Sequence, residues 1–190
     1  MEDFQLFLQQ FPDYSEARLH EIIPYLSSRN IPLGEYQLQE GRICKEIAFI
    51  EKGLLRLYYL RDGKEITHCF CREKSISTSY RSLISQEASD IAIQAVENSS
   101  LLLFSYDSLK ALYKQHPFWQ QMGRLLAEGE YVVREDHSRF LHDLSAKERY
   151  EHILEHDPAL LQRVPLTYLA SYLQLTPETL SRIRRELSRN

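Results

Sequence analysis

The absences in this chain narrow its function class before any motif is read. No apolar run approaches the eighteen or so residues that a membrane span requires, so no membrane partner is expected. The opening segment, "MEDFQLFLQQ", has no basic region and no long apolar core, and it does not read as a secretory signal. Only three cysteines occur, Cys44, Cys69 and Cys71. An odd number without an export signal is most simply a set of reduced thiols, which places the protein in the cytoplasm. Glycine is scarce, with six in 190 residues and none between Gly63 and Gly123. No phosphate-loop or nucleophile-elbow pattern can be assembled from them. No His-x-His ligand pair occurs, which counts against a metal-dependent enzyme on a β-roll. Internal repeats and low-complexity segments are also missing. The expectation is a non-enzyme with no cofactor and no metal.

A strong charge of either sign is lacking too. The net charge of −4 is wrong for a protein that coats nucleic acid indiscriminately. The distribution is uneven, however. From Arg163 to Asn190 five arginines stand against only Glu178 and Glu186. A charged tail is often no more than a solvated face, but this one also suits a local anion-binding surface.

Residues 4–27 have a helical pattern, with Leu19, Ile22, Ile23 and Leu26 on one face. Pro24 ends or bends that helix by removing a backbone donor. From Ile31 to Phe104 the texture changes to short runs such as "EIAFIEKG", "LLRLYYLRDG" and "KEITHCFC", separated by glycine turns. Asp62-Gly63 is a strong hairpin signal, because a type I′ turn needs positive φ at both central residues. Gly41, Gly53 and Gly63 punctuate these runs about ten residues apart, which suits an antiparallel sandwich or roll. Asp107 is placed to cap a helix that Pro117 closes. Residues 118–142 then form one long helix, with Phe118, Met122, Leu125, Val132 and Phe140 near a 4-3 spacing interrupted by Gly129 and Asp136. Such a helix either packs on its own domain or pairs with a second copy across a two-fold axis. Ser145 with Glu148 makes a capping box for the helix "AKERYEHILEH", which Pro158 stops. The expected class is α+β, divided into residues 1–117, a helix at 118–142, and a helical domain at 143–190.

The last segment, "LASYLQLTPETLSRIRREL", carries the functional signal. Leu166, Leu169, Ala170 and Leu173 share one face of a short helix. Thr176 is a good N-cap and Pro177 suits the first helical position. In the next helix Leu180, Ile183 and Leu187 form an inner stripe, and Glu178, Arg182, Arg185 and Arg189 an outer one. Two short helices in this arrangement read either as an ordinary helical hairpin or as a helix-turn-helix. Chemistry favours the second reading. Arginine presents a rigid fork to guanine O6 and N7, and a glutamate accepts from cytosine N4. Ser181 adds a smaller contact in the same two turns.

"LTPETLSRIRREL" resembles the recognition helix of the Crp/Fnr family of transcription regulators. The family's E-T-x-S-R core falls here at Glu178, Thr179, Ser181 and Arg182. "FIEKGLLRLYYLRDGKEITHCF" is similar to that family's sensor roll, and "SAKERY…VPLTYLASYLQLTPETLSRIR" resembles the Bacteroidetes-like members. The resemblance implies a jelly-roll, cyclic-nucleotide-binding-like sensor (a double-stranded β-helix) over 1–117 and a dimerisation helix over 118–142. It also implies a winged-helix-like helix-turn-helix with a truncated wing over 143–190. It further implies a homodimer on palindromic double-stranded DNA, working with RNA polymerase. Thr176, Glu178, Thr179, Ser181, Arg182, Arg184 and Arg185 become the DNA-binding candidates. The alternative is a small-molecule-binding sensor module whose helical C-terminus mediates protein contacts.

The chain departs from the family's pattern in three places. Gln174 stands where the turn ordinarily has glycine, so a positive φ there costs about a kcal/mol. The sequence ends soon after the recognition helix, leaving little room for wing strands. In the sensor, members that bind cyclic nucleotide hold its phosphate with a Gly-Glu and an Arg-Ser pair. The corresponding stretch, "SISTSYRSLISQEASDIAI", keeps Ser89 but has Ala88 at the arginine position and no glycine. Tyr80, Arg81 and Ser89 are the remaining pocket candidates, for an unidentified small-molecule effector other than cyclic AMP. Cys69 and Cys71 should face one side of a strand and His68 the other. That makes a poor cluster site and is more simply a buried thiol pair.

Overall fold

The computed structural model describes residues 1–188; the expectation placed on Arg189 lies outside them. Helices α1 (Glu2–Leu8) and α2 (Glu16–Ile22) precede eight strands. These are β1 (Ser27–Ile31), β2 (Tyr36–Leu38), β3 (Glu46–Lys52), β4 (Leu54–Arg61), β5 (Lys64–Arg72), β6 (Ile76–Ser77), β7 (Ala92–Ala95) and β8 (Ser99–Ser105), with α3 (Tyr80–Ser85) inserted before β7. Helices α4 (Tyr106–Gln115), α5 (Pro117–Asp143), α6 (Ala146–His156), α7 (Pro158–Arg163), α8 (Leu166–Tyr172) and α9 (Pro177–Leu187) follow.

The strands form two four-stranded sheets, ordered β1-β8-β3-β6 and β2-β7-β4-β5. The β1–β8, β3–β8, β3–β6, β2–β7 and β4–β7 pairings are all antiparallel. β3 does not alternate between buried and exposed residues, because helix covers one face of its sheet. Phe4 and Phe7 of α1 meet Phe49 at ring-centroid distances of 5.1 and 5.3 Å. Successive side chains point to opposite faces, so Ala48 and Ile50 turn the other way and are fully buried there. At Gly53 (φ +104) any side chain would collide with Ser99, so only glycine fits between β3 and β4.

The chain divides into two compact units, each with its own helices. The first holds residues 1–59 and 69–127; the second holds 60–68 and the chain from 128 onward. The tip of the β4–β5 hairpin therefore belongs with the C-terminal helices, and the change of unit falls inside α5.

Local expectations fared unevenly. Asp62 (φ 52) and Gly63 (φ 74) form the hairpin turn as read. The Ser145–Glu148 capping box is complete, with Ser145 N donating to Glu148 Oε2 at 2.8 Å. The long helix is continuous through Gly129 and Asp136. Residues 4–27, by contrast, are two short helices, a 3-10 turn and the start of β1, because Pro12 and Asp13 (φ 63) break the pattern. The α4 cap is Ser105, whose hydroxyl accepts from Ser108 N at 3.0 Å, while Asp107 pairs with Lys110 at 2.7 Å. Pro117 forces His116 into an extended conformation, ending α4. It then opens α5, where His116 Nδ1 accepts from Phe118 N at 3.1 Å. Pro158 likewise ends α6 and begins α7.

Candidate nucleic-acid interface

The turn from α8 into α9 fixes how α9 is presented. Leu175 N donates to Ala170 O at 2.8 Å and Gln174 N to Ser171 O at 3.0 Å. This is the double bond of a Schellman motif, whose left-handed position is Gln174 at φ 55. Arg149 Nη1 donates to Leu173 O at 2.7 Å, so the carbonyl just before the strained residue is held from α6. Leu169, Ala170 and Leu173 are buried with Leu180 and Ile183, leaving the opposite face of α9 to solvent.

On that face the candidates separate by what they already bond. Thr176 Oγ1 accepts from Thr179 N at 3.2 Å and lies 3.2 Å from Thr179 Oγ1, so both threonines form the cap. Glu178 is exposed, and its carboxyl is held below the usual carboxylate range by hydrogen bonds from its own backbone N–H and the Thr176 hydroxyl. It is therefore an ionised acceptor at the helix start, suited to an amino group and repulsive to phosphate. Ser181 is half-buried, and Arg182, Arg184 and Arg185 are exposed. These three arginines make no ion pair among the described residues. The sequence-predicted residues thus fall on one helix and its cap.

The residues proposed for the sensor pocket are not brought together. Arg81 pairs with Asp90 at 3.1 Å on the surface, where its side chain is 75% exposed. Ser89 is buried, with Oγ 2.8 Å from both Ser79 Oγ and Ile91 O. Tyr80 is half-exposed at the start of α3 and lines a cavity that neither of the others reaches. Around Ser89 the backbone is already committed. Ser89 N donates to Arg42 O at 2.9 Å, and Gly41 N to Ser89 O at 2.8 Å. Ser82 Oγ accepts from Cys44 N at 2.9 Å and donates to Glu87 O. No group of three or more potential metal ligands occurs among the described residues.

Residues 28–116 match the family of cyclic nucleotide-binding domains. Over most of its length the chain is similar in fold to Crp/Fnr regulators. FixK2 from Bradyrhizobium japonicum aligns with a TM-score of 0.75 at 23% identity, covering 86% of this chain and 84% of its own. A Crp/Fnr-family transcriptional regulator from Eubacterium rectale aligns at 0.72 and 18% identity, covering 94% and 87%. CLP of Xanthomonas campestris, a c-di-GMP-responsive global regulator, aligns at 0.71 and 16% identity, covering 92% of both chains. No curated protein matches the chain.

Two features of the domain and its neighbours escaped sequence reasoning. Arg56 on β4 is 1% exposed, with Nε and Nη2 at 3.0 and 2.7 Å from Gln94 Oε1 and the guanidinium 4.2 Å over the Tyr58 ring. Its place in an apolar strand flanked by leucines was the available signal. The other is an aromatic stack in the second unit. His137 lies 4.9 Å from Tyr172 and 6.3 Å from His68. Beside it, Ser171 Oγ accepts from Thr67 N and donates to Glu65 O, each at 2.8 Å. Cys69 and Cys71 do share a face, with their sulfurs 4.0 Å apart, but they are half-buried rather than sealed.

Proposed function

We propose that the protein is a sequence-specific DNA-binding transcription regulator of the Crp/Fnr type, a cytoplasmic homodimer on palindromic sites that works with RNA polymerase. One observation carries the reading. Helix α9 is capped at its start, buried along one stripe, and displays Arg182, Arg184 and Arg185, with no ion pair among the described residues, beside the ionised Glu178. Base edges need fixed donors and an acceptor within the first two turns, and phosphates need mobile positive charge just beyond them. Glu178, Ser181 and Arg182 take the first role and Arg184 and Arg185 the second, with Thr176 and Thr179 holding the helix start. The alternative, a helical tail for protein contacts, calls for apolar surface that the outer face of α9 lacks.

The dimer is supported by the unpartnered surface of α5. Tyr131, Val132 and Val133 are 64%, 53% and 58% exposed on consecutive positions, unusual for a helix meant to face water. The reading needs a two-fold axis that sets two α9 helices about 34 Å apart, one turn of duplex. Cyclic AMP is not the effector in this reading, because Ala88 provides no charge and the surrounding amides are already bonded. Selection of bound sequences from random duplex DNA tests the proposal. A two-fold symmetric motif supports it, and recovery of no preferred sequence overturns it.

A further inference from the structure

A cavity of about 270 Å³ lies in the first unit, outside the sandwich interior, between the outer face of β3 and β8 and helices α1, α3, α4 and the start of α5. Its wall is mostly apolar, with Phe7, Ile47, Leu83, Phe104, Leu109 and Met122 among the lining residues. The volume equals roughly nine waters at about 30 Å³ each. That is near the lower end of small-molecule sites and too small for a helix about 10 Å across.

Tyr80, Tyr106 and Tyr113 come together in the lining, with Thr78, Gln120 and Arg124 as its other polar residues. Tyr113 is seated over Gly123, where any Cβ would overlap its hydroxyl, so the missing side chain on α5 is what admits the phenol. That hydroxyl has no hydrogen-bond partner among the described residues. Burial and the neighbouring phenols push it up to about 12, so it stays protonated and can donate. An apolar wall with this phenol as a buried donor selects by shape and by an acceptor placed to meet it.

We propose that this cavity binds a small, neutral, largely apolar molecule carrying one hydrogen-bond acceptor, such as an aryl ketone, with Tyr113 donating to it. The assignment stands apart from the DNA-binding reading, because the test uses no DNA.

The probes are 2-acetylnaphthalene and 2-ethylnaphthalene, matched in shape and differing in the carbonyl, titrated calorimetrically into the full chain. Both should bind, the ketone about three- to tenfold more tightly, the span of one net hydrogen bond. Tyr113→Phe should reduce the ketone to the affinity of the hydrocarbon and leave the hydrocarbon unchanged. Leu126→Trp, which fills the cavity from its half-exposed rim, should weaken both at least tenfold while the circular dichroism melt remains cooperative. Absence of saturable binding, or binding that Leu126→Trp leaves untouched, overturns the proposal. Equal affinity for the two probes overturns the ligand class. Affinity that falls as protein concentration rises would give the cavity to a second copy of the chain and overturn it as well.

Discussion

Acidification should strike the C-terminal unit through His68. This ring sits on β5 against Arg134 and His137 of α5, and His137 in turn stacks on Tyr172 of α8. Burial, then the charge of Arg134, then His137 lower its pKa from 6.5 to about 4. Burial lowers His137 as well. The folded value lies below the unfolded one, so between pH 6.5 and about 4 the unfolded chain binds a proton that the folded chain refuses. Stability is therefore complete above pH 6.5 and declines as pH falls through that window. At roughly 1.4 kcal/mol per pH unit, the His68 contribution reaches at most about 3 kcal/mol. Residual solvent contact of the half-buried ring makes this an upper bound.

The measurement is urea denaturation of the wild type and of His68→Phe at intervals from pH 7.5 to 4, with an NMR titration of the His68 ring alongside. Phenylalanine keeps an aromatic ring in the stack and cannot take a proton. The stability difference between the two proteins should shift toward the variant by up to about 3 kcal/mol as pH falls. A His68 ring titrating near 6.5, or identical pH slopes for the two proteins, would refute the reasoning. The backbone pairing of Thr67 and Glu65 with Ser171 gives a local readout, because loss of the stack should loosen the hairpin tip from α8 first.

Arg182→Ala should cost about 1–3 kcal/mol of specific DNA binding and relax discrimination at one position of each half-site. Arg185→Ala should weaken all sequences alike and flatten the salt dependence; binding titrations on matched and mismatched duplexes at several salt concentrations separate the two outcomes. Replacing Leu125 and Val132 with Asp should give monomers in sedimentation, and a stable dimer would move the interface away from α5. Calorimetry with cyclic AMP should yield no micromolar binding, whereas a signal abolished by Arg81→Ala would mean that a phosphate site had formed at the Arg81–Asp90 surface.

Signals confined to a few neighbouring residues were legible in the sequence. Ser145 with Glu148, Asp62-Gly63, and Thr176-Pro177 each satisfy backbone groups within four positions, so composition alone points to the geometry. Gln174 (φ 55) was readable only through the family resemblance, whose turn ordinarily has glycine at that position. The outer stripe of Glu178, Arg182 and Arg185 follows from their 4-3 spacing on α9, and Arg184 lies off it. Contacts between distant segments were not legible. Arg56 looks like a surface cation until the partner strand brings Gln94 opposite it. The edge-to-face contact of His68 with His137 depends on the hairpin tip joining the C-terminal unit, which no local pattern encodes. Ser105 was passed over for Asp107 because three candidate caps stand within four residues, and where β8 ends decides among them.

In the proposed reading, what keeps cyclic nucleotide out is more than the alanine at position 88. An anionic phosphate leaving water needs several N–H or cationic donors at once. Around Ser89, the amides of Ser89, Gly41, Ile91 and Cys44 all donate to acceptors of the chain itself. Freeing any one gives up about 0.5–1.5 kcal/mol and leaves a buried acceptor unmet, at about 1–3 kcal/mol more. Ala88→Arg would supply one charge but not the amides, because residue 88 bridges Ile43 in the same hydrogen-bonded seam. The serines at 79, 82 and 89 thus close the region as structure. In this reading Ala88→Arg alone does not open it.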